Sequence, residues 1–189
     1  MIIDIVKLSA GSGVLAGRGS ARQVLGKLIA ESINPEAPEI WMLDYSGADL
    51  VTGSFFSETF LGFSKHVRTA LPNIYPVIGV IEERSIQELE FLAESTSEVI
   101  PICSGMERGK LKKFRLIGSL DPYQEETLEI VTRLGDATAK ELSENASKSS
   151  ATIGVTAWHN RLTALARRGL LIEQNAGRQK AYRTLSKGA

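Results

Sequence analysis

Four short polar side chains recur at helical spacing near the C-terminal end of the chain. Thr156, His159, Asn160 and Thr163 occupy positions i, i+3, i+4 and i+7 within the segment 152–168. Residues with this spacing share one face of a helix. Their hydroxyl, imidazole and amide groups donate and accept hydrogen bonds, as the edges of bases in a major groove require. The pattern predicts a surface that can contact bases.

Basic residues flank this polar set, and their cations could neutralise phosphates. They are Arg161, Arg167, Arg168, Arg178, Lys180 and Arg183. The formal net charge of the chain is zero, but residues 1–135 hold 13 Lys and Arg against 18 Asp and Glu, and residues 136–189 hold 9 against 4. A basic segment within a neutral chain favours a polyanionic partner, and we expect double-stranded DNA.

A second set of candidate residues lies in the first half of the chain. Thr52 and Ser54 stand at a predicted helix start, Glu58 follows one turn later, and Arg18 and Arg22 precede them. A helix N-terminus has free N–H groups and a positive dipole end, so this set could bind a phosphate or an acidic partner. The alternative is that Thr52 or Ser54 only caps the helix, which is worth about 1 kcal/mol.

Catalytic patterns are weak throughout. Neither His66 nor His159 has another His or Cys at metal-ligand spacing, and no Gly-x-Ser-x-Gly motif is present. The glycine-rich segment 11–20 lacks the Gly-Lys-Ser/Thr of a phosphate-binding loop, so a tight loop or hairpin is expected there. Glu58 is the best single acid. We therefore predict no enzyme, no cofactor and no metal.

The remaining composition indicates a cytoplasmic protein without a membrane segment. The one cysteine, Cys103, excludes an intrachain disulfide. The first residues lack the features of a signal peptide, and no apolar run approaches the ~20 residues that span a bilayer.

Short apolar runs alternate with helical patterns as far as residue 120, which predicts an α/β domain. The expected buried strands are 40–44, 74–81 and 97–103, with an edge strand at 110–120, and the expected helices are 20–32, 52–71 and 85–94. Ser85 and Glu88 have the spacing of a capping box. The basic run 106–113 is expected to be a solvated loop.

From Asp121 the pattern is helical. A first helix is expected to begin at Pro122, which suits the first helical position, and a second, shorter helix follows. A third helix is expected at 152–168, with its apolar face at Trp158, Leu162 and Leu165. Gly169 should end that helix, and a two-stranded hairpin should follow, with Tyr182 and Leu185 as inward anchors. We place the domain boundary between 1–119 and 120–189.

The second segment resembles the winged helix-turn-helix domains of bacterial transcription regulators. The resemblance rests on Asn160-Arg-Leu162, Leu165, Arg168-Gly-Leu-Leu171, Gly177-Arg178 and Tyr182, with 137–142 similar to the helix before the turn. It implies a DNA-binding fold, although winged helices also bind proteins and RNA.

The first segment resembles STAS domains, the fold of anti-sigma factor antagonists. It is closer to the STAS-like group with an Arg in the first helix, here Arg22, and a Ser-Phe-x-x-Glu helix start, here 54–58. The resemblance implies a partner kinase or ATPase, with phosphorylation at Ser54. Thr52 replaces the family's Asp at that helix start.

Together these patterns predict a DNA-binding transcriptional regulator whose STAS-like α/β domain senses a protein partner or ligand. The alternative is a protein-interaction switch in which the STAS-like domain docks an ATPase or kinase and the winged helix is a second docking surface. A component of a defence or toxin system is a third hypothesis, resting only on family analogy. A homodimer is expected if the third helix recognises a palindrome.

Overall fold

The chain folds into a first unit, Met1–Ser119, and a second unit, Leu120–Ala189. The computed structural model describes residues 1–11, 13–79, 82–146, 153–177 and 179–187. Among these residues no helix has the length and apolar character needed to cross a membrane.

The first unit alternates strands with helices. In chain order its elements are β1 (Ile2–Asp4), α1 (Ile5–Leu8), β2 (Val14–Leu15), α2 (Arg18–Glu31), β3 (Glu39–Asp44), β4 (Leu50–Val51), α3 (Gly53–Phe56), a π-helical segment (Ser57–Leu61), α4 (Gly62–Ala70), β5 (Ile74–Gly79), α5 (Glu83–Thr96), β6 (Ile100–Cys103), β7 (Gly105–Glu107), β8 (Lys110–Lys112) and β9 (Arg115–Ile117). The predicted α/β class is confirmed.

A five-stranded sheet forms the centre of the first unit. Its order is β1-β3-β5-β6-β9, in which the first four strands are parallel and β9 is antiparallel to β6. Parallel strands that follow one another in a single direction carry their crossover helices on one face, because such crossovers are right-handed. Accordingly, Trp41, Leu43 and Ile78 share one buried cluster with residues of the helices such as Leu28 and Phe63. That layer holds α2 to α5 in fixed places.

The predicted capping box at the start of α5 is wrong. The helix begins earlier, at Glu83 with Glu82 as its N-cap, so Ser85 lies inside the first turn. The Ser85 side chain is buried, and its hydroxyl accepts a hydrogen bond of 3.0 Å from the amide of Val51. Glu88 also bonds outside its own helix, to the amide of Gly53. The two side chains therefore join α5 to β4 and to the first residue of α3.

The predicted edge strand 110–120 and the predicted loop 106–113 are both corrected. β7 and β8 form an antiparallel hairpin, and a separate strand, β9, lies at the edge of the sheet. The hairpin turns at Arg108 and Gly109, which both have positive φ, as the favoured two-residue hairpin turns require. Lys113 also has a positive φ of 46°, so the chain leaves the strand direction there.

In the described residues of the second unit, three helices accompany a small antiparallel sheet. Its elements are α6 (Pro122–Leu134), β10 (Ala137–Thr138), α7 (Ala139–Ala146), α8 (Val155–Arg167), β11 (Leu171–Ala176), β12 (Gln179–Thr184) and a final 3₁₀ turn (Leu185–Lys187). The sheet order is β10-β12-β11. The predicted start of α6 is confirmed, since the Asp121 carboxylate accepts bonds from the amides of Tyr123 and Gln124.

The core of the second unit includes the residues that helical spacing and strand alternation predicted. Trp158, Leu162 and Leu165 of α8 are buried, and so are Tyr182 and Leu185. Gly169 has a φ of 73° directly after α8, a backbone conformation that favours glycine. These contacts orient α8 and decide which of its side chains remain outside.

Candidate functional site

The outer face of α8 carries most of the predicted base-contacting residues. Thr156, His159 and Asn160 are exposed, on the side of the helix away from its buried apolar residues. Thr163 is half-buried, and its hydroxyl lies 3.4 Å from the phenol oxygen of Tyr182. Three of the four polar side chains thus share an accessible surface, and the fourth contacts the hairpin.

Arg161 faces the interior of the second unit. Its guanidinium donates to Glu126 of α6 at 3.1 Å and lies over the rings of Tyr123 and Trp158, 4.6 and 5.0 Å from their centroids. Only 19% of the Arg161 side chain is exposed. Such stacking with an ion pair stabilises the contact between α6 and α8. Arg161 is therefore a packing residue in this arrangement rather than a ready phosphate ligand.

The other predicted cations differ in how accessible they are. Arg167 is exposed, while Arg168 donates to Gln124 at 2.7 Å and Arg183 is half-buried in β12. Arg178 lies outside the described residues. The sequence could not show which arginines are engaged, because the partners of Arg161 and Arg168, Glu126 and Gln124, belong to a distant helix.

Lys180 pairs with an acid that the sequence analysis did not single out. Its ammonium lies 2.6 Å from the Glu173 carboxylate, and the hydrogen bond that it donates to Glu173 raises the pKa of Lys180. The strand register places Asn175 opposite Lys180 and Glu173 opposite Tyr182, so Glu173 and Lys180 are diagonal neighbours on one face. The hairpin pattern could have revealed this pair, since alternation and turn length set the register.

In the first unit, three predicted residues form one ion cluster. Arg22 makes two hydrogen bonds of 3.3 Å to the two oxygens of Glu58, and the Nε atom of Arg18 lies 3.8 Å from the same carboxylate. The arginine side chains are 72% and 66% exposed, and Glu58 is 23% exposed. Two cations on one acid leave a net positive surface. An anionic ligand there would compete with Glu58.

The π-helical segment that carries Glu58 is tied to the core by its neighbour. Thr59 is buried, and its hydroxyl donates to the carbonyl of Phe55 at 2.7 Å. A hydroxyl has one proton, so the Tyr45 phenol must donate the 3.2 Å bond between Tyr45 and Thr59. π-helical turns are rare and occur frequently at functional sites. The sequence carried no signal for this turn.

The helix start with Thr52 and Ser54 is already capped by a carboxylate. Thr52 is at the N-cap position, but its side chain makes no capping bond, and its hydroxyl lies 3.2 Å from that of Ser54. Instead Glu88 accepts from the Gly53 amide at 2.7 Å. Thr52 therefore occupies the predicted N-cap position, but the capping hydrogen bond is made by Glu88 and not by the side chain of Thr52 or Ser54. A phosphate on Ser54 would meet the negative charge of Glu88 at this position.

No protein-family model matches this chain, and comparisons with curated proteins and with solved structures also find no match. Within the described ranges, no group of three or more His, Cys, Asp or Glu side chains is arranged to hold a metal ion.

Proposed function

We propose that the protein is a transcriptional regulator in which the second unit binds duplex DNA through α8 and the β11–β12 hairpin. The observation that carries this proposal is the outer face of α8. It presents Thr156, His159 and Asn160, while Trp158 and Leu162 fix the opposite face in the core. A rigid helix with short polar side chains on its open face suits the major groove.

The order of elements in the second unit supports the same proposal. A helix, a short strand, two helices and a two-stranded hairpin succeed one another, and β10 pairs with the second hairpin strand, β12, which is the central strand of the sheet. This is the order of a winged helix-turn-helix, with α8 as the recognition helix and β11–β12 as the wing. The exposed Arg167 and Lys180 would then approach phosphates.

The first unit is the proposed sensory part. Arg18 and Arg22 are exposed on the first turns of α2 and contact the less exposed Glu58, so an acidic group of a protein partner or ligand could replace Glu58 there. A STAS-like domain that receives such a partner would regulate the attached DNA-binding unit.

Selection from a pool of randomised duplexes, using the full chain, tests the DNA proposal. We expect the wild type to enrich a common sequence, and His159→Ala/Asn160→Ala to lose that enrichment, because each good base contact provides about 1–3 kcal/mol of discrimination. The salt dependence of binding should be unchanged, since neither substitution removes a phosphate-binding cation.

Thr132→Ala is the matched control, because its exposed hydroxyl bonds only to Leu128 within its own helix. It should select the same sequence as the wild type. Failure of the full chain to bind any duplex at low salt would reject the proposal.

A second candidate function is a protein-interaction switch, with the winged helix as a docking module. It is favoured by the cations of the second unit that already have partners: Arg161 with Glu126, and Lys180 with Glu173. Affinity purification of the full chain from its native host distinguishes the two. A stoichiometric ATPase or kinase without nucleic acid would support the switch, and nuclease-sensitive retention of DNA would support the regulator.

A further inference from the structure

The cations of the first unit are concentrated in one short segment. Residues 1–119 hold 12 Lys and Arg against 14 Asp and Glu, yet the segment 105–115 alone holds 5 against 1. The remainder of the unit is therefore acidic. The five cations are Arg108, Lys110, Lys112, Lys113 and Arg115, and the acid is Glu107. We call this segment, β7 to the start of β9, the basic hairpin.

The geometry of the basic hairpin places its lysines on an outward face. The register pairs Met106 with Leu111 and Glu107 with Lys110, so Lys110 and Lys112 lie on the face opposite to Leu111. Met106 and Leu111 are half-buried, whereas Lys110 and Lys112 are exposed. Residues two apart in a strand are about 6.8 Å apart, so the two lysines form a short row of charges.

Most of these cations have no acid in contact. Lys112 pairs with Glu107 at 2.7 Å. For Arg108, Lys110, Lys113 and Arg115, which are all exposed, the described part of the chain places no carboxylate within ion-pair distance. Elsewhere in the first unit, Arg18 and Arg22 share Glu58. The basic hairpin is thus a concentrated and largely unneutralised positive surface.

We propose that the basic hairpin binds the phosphate backbone of duplex DNA, as a second DNA contact of the same chain. This rests on the proposed function, because the DNA held by the second unit raises the local concentration of phosphate for a surface on the same polypeptide. A two-stranded ribbon is narrow enough to enter the major groove, and cations along the strand and the turn match a regularly spaced polyanion. The basic hairpin then contributes affinity without base recognition.

The test measures binding of the full chain to a duplex of mixed sequence by fluorescence anisotropy, over a series of salt concentrations. Lys110→Gln/Arg115→Gln removes two cations at positions without positive φ. Each phosphate contact contributes about 0.9 to the slope of log affinity against log salt, so we expect the slope to fall by about 1.8. The wild-type protein and the variant should show the same circular dichroism and thermal midpoint.

Lys65→Gln/Arg84→Gln is the matched control, since it removes the same charge from exposed positions of α4 and α5. It should leave the slope close to that of the wild type. Should the first variant fold poorly, Arg108→Gln/Lys113→Gln removes the two other cations and is expected to give the same decrease.

Two other results are informative. A wild type that binds DNA with the same slope as the hairpin variants would overturn this proposal alone, and would be the result if the basic hairpin served an acidic protein instead. A wild type that binds no duplex at low salt would overturn both this proposal and the DNA-binding function.

Discussion

The two units each present a β-hairpin with basic residues, but the charges of the two hairpins are differently available. In the basic hairpin of the first unit, one lysine of the five cations has a paired acid, Glu107. In the β11–β12 hairpin of the second unit, Lys180 is paired with Glu173 and Arg183 is half-buried. Among the described residues, the hairpin of the unit that we propose to bind DNA through α8 is therefore the more neutralised of the two.

This difference shows that the number of cations in a segment does not determine the charge it offers to a ligand. Cross-strand neighbours decide it, because an acid diagonal to a lysine lies within ion-pair distance. Such pairs are worth little stability at an exposed site, about 0–1 kcal/mol. They nevertheless place a negative charge where a phosphate would bind.

The largest expected effect is a loss of stability in the second unit that leaves the hairpin of the first unit unchanged. Leu162→Ala removes a fully buried side chain of α8 and should destabilise the second unit by about 2–5 kcal/mol. Hydrogen exchange with mass spectrometry on the full chain should then show faster exchange in α8 and the β11–β12 hairpin. The basic hairpin should keep its wild-type protection from hydrogen exchange, because it belongs to the first unit.

Val155→Ala provides the control for that comparison, since the Val155 side chain is 48% exposed on the same helix. Its exchange should match that of the wild type. If Leu162→Ala accelerates hydrogen exchange equally in both hairpins, the stability of the basic hairpin depends on the second unit, and the prediction is contradicted.

An intermediate effect concerns the alkaline stability of the first unit. Burial raises the pKa of Tyr45 far above its usual range. The unfolded chain loses this proton near pH 10 while the folded chain retains it, so the contribution of Tyr45 to stability is full below that pH and falls above it, by about 1.4 kcal/mol per pH unit. Tyr45→Phe should remove that loss, at a cost of about 1 kcal/mol at neutral pH for the lost bond to Thr59.

Urea unfolding from about pH 8 to about pH 11, followed by circular dichroism, measures this dependence. Tyr123→Phe, at a tyrosine that is 64% exposed, is the control and should retain the alkaline loss. Burial also raises the pKa of Tyr182. The second unit should therefore still lose stability at alkaline pH in Tyr45→Phe. If the free energy of unfolding of the first unit falls with pH in Tyr45→Phe as it does in the wild type, Tyr45 is not the cause of that fall.

The smallest expected effect tests the pairing in the second hairpin directly. Glu173→Gln releases Lys180, so we expect the slope of log DNA affinity against log salt to increase by about 0.9 and the affinity at low salt to rise a few-fold. Glu129→Gln makes the same charge change on the exposed surface of α6. If both variants change binding equally, the effect is one of net charge and the pair with Lys180 is not responsible.

Local spacing was sufficient to predict much of the fold. The α/β class is confirmed, and the helical repeat correctly identified Trp158, Leu162 and Leu165 as core residues. The Asp121 cap was also predictable, because its hydrogen bonds go to amides only two and three residues away. These features depend on periodicity and on neighbours in the sequence.

The errors share a different cause. Ser85 and Glu88 looked like a local capping box, but they bond to Val51 and Gly53, more than thirty residues away. The end of the strand at Lys113 depends on a positive φ, which lysine does not favour and which the sequence therefore did not predict. The contact of Arg161 with Glu126 of α6 also joins residues that are far apart in the sequence, and a phosphate contact of Arg161 stays a prediction.

The sequence by itself determined the periodicity of the elements, the apolar faces that must be buried and the segments where cations accumulate. These follow from covalent order and from the repeat of each secondary structure. Only the tertiary structure decided which charges are neutralised, because the partner of a polar side chain is selected by proximity in space. For this reason Arg161 is engaged by the distant Glu126 within the second unit, while the cations of the basic hairpin are exposed.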